Sequence, residues 1–80
     1  MRSPTVLRYG GYRVRIYLND HPPAHVHVSG AGMEARVTLE PVRVVDNWGF
    51  NHRQLAQIVR IIQEHRVALL AEWNRHHRER

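Results

Sequence analysis

Eighty residues with twelve arginines, no lysine, seven acidic side chains and no cysteine carry a formal net charge of +5. That length makes a single domain, and the missing cysteines exclude disulfides and thiolate metal sites, so packing must hold the fold and any metal must sit on nitrogen and oxygen. With no apolar run near the roughly 20 residues of a bilayer span and no apolar signal core at the start, a soluble cytoplasmic protein with no membrane partner is expected.

Arginine's planar fork suits phosphate and carboxylate, so the basic excess points to an anionic partner: RNA, DNA or an acidic protein. The absence of lysine fits a compositional bias of the coding genome equally well.

In chain order, Tyr9 to Leu18 alternates with period two. Tyr12, Val14, Ile16 and Leu18 fall on one face, with Arg13, Arg15 and Tyr17 on the other, which predicts a half-buried strand. A second strand over about Ala24 to Ser29 turns Val26 and Val28 to the core and His25 and His27 away from it. Gly30-Ala31-Gly32 closes a hairpin into a third strand, Glu34 to Glu40, with Ala35, Val37 and Leu39 inward. Pro41 cannot donate to a ladder, so the sheet stops or reaches an edge there, with Val42, Val44 and Val45 available for a short fourth strand.

Asn47-Trp48-Gly49 reads as a turn, and Asn51 with Gln54 as a capping box. From Asn51 to His77 no glycine or proline intervenes, and Leu55, Ile58, Val59, Ile62, Leu69, Leu70 and Trp73 share one stripe at 100° per residue. One long helix is predicted. Arg66 projects into that stripe, and a stem laid along the apolar surface with its guanidinium reaching a carboxylate is preferred over a break near Glu64 to Arg66. Ile61 falls off the stripe and is expected at an exposed contact, Trp48 and Trp73 are expected as core anchors, and His52, His65, His76 and His77 read as surface histidines. The expected fold is α+β: a three- or four-stranded antiparallel sheet packed against one long C-terminal helix. An edge strand, either the first or the one after Pro41, offers a route to a homodimer.

The chemistry concentrates in His21-Pro22-Pro23-Ala24-His25-Val26-His27. Residues two apart on a strand share a face, so His25 and His27 stand close enough to chelate one divalent ion such as zinc. A third ligand would come from His21, Asp20, Glu34 or Glu40, according to strand register. The same two imidazoles suit metal-free phosphodiester cleavage as catalytic acid and base, with Arg13, Arg15 and Arg36 holding phosphate and Tyr17 adding a hydrogen bond or a stacking surface. A third reading is a plain wet sheet face that fills with polar residues or docks a protein.

Tyr9-Gly10-Gly11-Tyr12-Arg13, the block Asn19-Asp20-His21-Pro22-Pro23-Ala24-His25-Val26-His27-Val28, Glu34-Ala35, Leu39-Glu40-Pro41 and Glu72-Trp73-Asn74 together resemble one family. It is the small bacterial family catalogued as domain of unknown function 4160, and the resemblance covers nearly the whole chain. It implies a compact prokaryotic α+β domain with no established activity. Members are often encoded beside a second small protein, as in a type II toxin–antitoxin pair. The resemblance therefore implies an RNA-acting or RNA-binding toxin–antitoxin component with a cognate antitoxin-like partner. The alternative is a non-enzymatic metal-binding or protein-docking module. This chain departs from the usual family pattern in carrying histidines and arginines where the helix often has acidic residues.

Overall fold

Two pairs of residues with positive φ set the strand pattern. Gly10 and Gly11, at φ 54° and 89°, form a two-residue turn that pairs Tyr9 with Tyr12. Ala31 and Gly32, at φ 52° and 79°, do the same between Gly30 and Met33. Both are the mirror-image turns whose twist matches that of antiparallel strands. In the computed structural model, which describes residues 5–17 and 20–77, the strands are β1 (Thr5–Tyr9), β2 (Tyr12–Arg15), β3 (His25–Gly30), β4 (Met33–Leu39) and β5 (Val42–Trp48). They lie in the order β1-β2-β3-β4-β5, each antiparallel to its neighbour.

The sheet thus has five strands rather than three or four. The segment read as one strand from Tyr9 is split by its glycine pair into a turn and β2, which releases β1 as an extra edge strand. Leu18, expected on the inner face, lies outside the described residues. At the other edge, Glu40 and Pro41 occupy the turn itself, so β5 runs its full seven residues and is not a stub.

Val14, Ile16, Val26, Val28, Ala35, Val37 and Leu39 form the buried face of the sheet, as their alternation predicts. Against it pack α1 (His52–Glu64) and α2 (Arg66–His77) through Ile58, Ile62, Leu69 and Trp73. Asn51 starts α1 with the expected capping box: its Oδ1 accepts from the Gln54 N–H at 2.8 Å, and its own N–H donates to Gln54 Oε1 at 2.9 Å. No helix among the described residues is long and apolar enough to cross a membrane.

The single long helix is not found. His65, at φ −109° and ψ 14°, interrupts it for one residue. Its ring Nδ1 donates to the Ile61 carbonyl at 2.9 Å, so backbone and side chain converge on one acceptor. The Leu69 N–H still reaches the His65 carbonyl at 2.9 Å, and so the apolar stripe keeps its phase across the interruption. Arg66 does meet a carboxylate: Nη2 donates to Glu40 at 3.1 Å while Nε donates to the Leu39 carbonyl at 2.8 Å, tying α2 to the end of β4.

Ile61 is buried rather than exposed, because the β1–β2 hairpin covers that flank of α1 and Tyr12 donates its hydroxyl to Gln57 Oε1 at 3.0 Å. Trp73 is a core anchor, but Trp48 is 57% exposed at the end of β5.

Gly49, at φ 107°, joins β5 to α1, and a Cβ there would come within 2.7 Å of Met33 Cγ. Gly49→Ala is therefore expected to lower unfolding free energy by about 1–3 kcal/mol in urea denaturation. Gly32→Ala, with open space around it, is expected to cost less.

Candidate metal centre

Strand parity and one loop assemble the site. His25 and His27 project from the outward face of β3, opposite Val26 and Val28, with ring centroids 5.2 Å apart. The chain between β2 and β3 returns Asp20 over them. A single carboxylate oxygen, Asp20 Oδ2, lies 3.2 Å from His25 Nε2 and 3.0 Å from His27 Nε2. Among the described residues, Asp20, His25 and His27 are the one group whose ligand atoms could converge on a metal ion, all lying within 4.8 Å of one another.

The His25 tautomer follows from its partners. Nδ1 lies 2.9 Å from the Pro23 carbonyl, which can only accept, so Nδ1 carries the proton and Nε2 of the neutral ring is a lone pair. That Nε2 is buried with no hydrogen-bond partner, since its approach to Asp20 is close in distance but not in hydrogen-bond direction. A buried imidazole nitrogen without a hydrogen-bond partner is costly, and a cation bound to it, whether a metal ion or a second proton paired with Asp20, removes that cost. The Nδ1–H to carbonyl bond is the support that metal-ligating imidazoles ordinarily have.

His25 is 7% exposed, which corrects the expectation that both histidines stand open to solvent. Trp73 of α2 packs its ring 5.2 Å from His25 and stacks against His77 at 3.8 Å. On the sheet, Tyr17 meets the His27 ring edge-on at 4.6 Å, and Glu34 Oε2 lies 3.5 Å from His27 Nδ1. The pair is therefore half enclosed.

Register decides the remaining candidates. Asp20 is the candidate whose carboxylate the fold brings to both imidazoles. Glu34 is a neighbour of His27, Glu40 is engaged by Arg66, and His21 is exposed and outside the donor set. Arg15, His27, Arg36 and Asp46 form one row across four strands, so Arg15 and Arg36 do flank the site. Arg36 is ion-paired with Asp46. Arg13 falls in the next row, opposite Ser29, and is not part of the cluster. Asp46 and Trp73 escape sequence reasoning: a bulge between Arg36 and Val37 changes the parity of β5, and Trp73 lies in the final helix, remote in sequence from β3. His77 is more than a surface histidine, because its Nδ1 donates to the Trp73 carbonyl at 2.7 Å and its Nε2 is buried without a partner.

The model of the family described as "Domain of unknown function (DUF4160)" matches residues 11–74. The chain belongs to that family. The matched segment contains all three donors together with Arg36 and Trp73, whereas β1 and His77 lie outside it. No curated protein and no solved structure matches the chain.

Long-range 15N–1H spectra are expected to find a proton on His25 Nδ1; an Nδ1 that carries none would contradict the Pro23 bond.

Proposed function

We propose that this DUF4160 protein binds one divalent transition ion, such as zinc, on Asp20, His25 and His27. The observation that carries the reading is the buried Nε2 of His25, which has no hydrogen-bond partner while the Pro23 carbonyl fixes the ring through Nδ1 and Asp20 Oδ2 stands 3.2 Å away. Two imidazoles and one carboxylate leave a coordination position open, as hydrolytic zinc centres and iron(II) centres do. An ion held there would lower the pKa of a bound water and polarise an anionic ligand.

Zinc-loaded and dialysed protein is expected to retain one equivalent by elemental mass spectrometry, and the His25→Ala, His27→Ala double variant is expected to retain none while keeping its circular dichroism spectrum. Free zinc at a hundred times its dissociation constant should stabilise the fold by about 2.7 kcal/mol, raising Tm by about 10–20 °C for a domain of this size. Wild-type protein that emerges without metal would end this reading.

The second reading is a type II toxin–antitoxin component that acts on RNA in the bacterial cytoplasm, restrained by an antitoxin-like partner. Its support is the outward face of the sheet, where Arg15 and Arg36 flank the histidines and Arg8, Arg13 and Arg43 stand on the same side by register. Metal-free acid–base cleavage by His25 and His27 is the weaker form of it, because both rings point Nε2 at one carboxylate and His25 is enclosed. A docking module has its own support in the exposed Val45 and Trp48 of edge strand β5, where a partner or a second copy would pair. Incubation of the protein with RNA separates these: cleavage that EDTA abolishes joins the two main readings, cleavage that survives EDTA favours the metal-free pair, and no cleavage favours docking.

A further inference from the structure

Strand β5 ends the sheet and is bordered by β4 on one side only. Of the four large apolar side chains exposed among the described residues, two lie on it: Val45 at 46% and Trp48 at 57%. Its register against β4 sorts its side chains. Val44 stands opposite Val37 and Asn47 opposite Ala35, and both partners belong to the core face; Arg43, Asp46 and Trp48 stand opposite Thr38, Arg36 and Glu34 on the histidine face. Arg43 and Trp48 are five residues apart, so a regular strand would put them on opposite faces. The extra residue at Val45, where the pairing shifts between Arg36 and Val37, brings them to the same one.

We infer that β5 pairs with β5 of a second copy of this chain, antiparallel about a two-fold axis between Val45 and Asp46, so that two five-stranded sheets continue into one. The inference rests on the docking reading of β5, whose occupant it names, and not on the metal centre. Residues opposed across a two-fold strand pair must share a face, which restricts the register. An axis between Val45 and Asp46 opposes Arg43 to Trp48 of the other copy on the histidine face and Val44 to Asn47 on the core face. Moving it by half a residue would oppose Arg43 to Asn47, or Val44 to Trp48, from different faces. Self-complementarity selects a second copy as the occupant: the exposed Arg43 guanidinium meets the negative π-face of an exposed indole, and the symmetry makes that contact twice. Val45 also lines the open cleft that holds Asp20 and His25, so the second copy would border the histidine site.

Sedimentation equilibrium of the full chain, from about 10 μM to about 1 mM to cover a weak interface, is expected to reveal a species of twice the 9.4 kDa chain mass. Arg43→Gln and Trp48→Ala should each weaken dimerisation about tenfold, and the double variant little more than Trp48→Ala alone, because both remove one contact. Position 45 tests the register. Val45→Asp faces Asp46 of the other copy with like charge and Val45→Lys faces it with opposite charge, so the first should dimerise about tenfold more weakly than the second, with both keeping the circular dichroism of the wild type. Equal weakening by the two overturns the inferred register. A dimer untouched by Trp48→Ala and Val45→Asp is built on another surface and overturns the inference. A chain that stays monomeric throughout also overturns it, while the docking reading survives for a partner of different sequence.

Discussion

Strand β3 is the constraint on which the rest depends. It is the central strand of five, and its period-two alternation sends Val26 and Val28 into the helices while His25 and His27 face the other way. A one-residue slip against β4 would bury two imidazoles in the valine layer and expose the core, so this register is strongly specified. The two-residue turn at Ala31–Gly32 sets that register from one end, pairing Gly30 with Met33. Core and site are two faces of one strand.

Alternation alone would leave the histidines on a wet surface. They become a site because two segments from outside the sheet close over them. The β2–β3 connection lowers Asp20 onto both Nε2 atoms, and its Pro23 carbonyl takes the Nδ1 proton of His25. From the other direction α2 lays Trp73 against the His25 ring, and Arg66 ties the start of that helix to Leu39 and Glu40. Trp73 belongs both to the hydrophobic core and to the wall of the site, so helix packing and ligand geometry are coupled through one side chain. Side chains supported this way are held in place by the protein itself, which would lower the ordering cost of binding a ligand there.

The surrounding charge follows from the same register. Arg15, His27, Arg36 and Asp46 line up across four strands, so one of the three candidate donors, His27, sits between two arginines. Arg36 is ion-paired with Asp46 and remains partly exposed. Five of the twelve arginines, Arg8, Arg13, Arg15, Arg36 and Arg43, stand on the histidine face of the sheet by register.

The sequence by itself determined the inward residues of β2, β3 and β4, the Asn51 cap, the apolar stripe of the helices and the pairing of His25 with His27, because each depends on local periodicity or on side chains a few residues apart. The extra strand was legible too, in Gly10-Gly11, had that pair been read as a hairpin turn. The interruption at His65 was legible only as the less favoured alternative, a break near Glu64 to Arg66 signalled by Arg66 in the stripe, since a break that preserves phase leaves no other mark. Only the tertiary structure decided that Asp20, and not His21, Glu34 or Glu40, completes the histidine pair, and that Asp46 and Trp73 border it. Loop return, a bulge in β4–β5 pairing and the docking of a distant helix set those positions, and none of the three is encoded in the spacing of the residues they bring together.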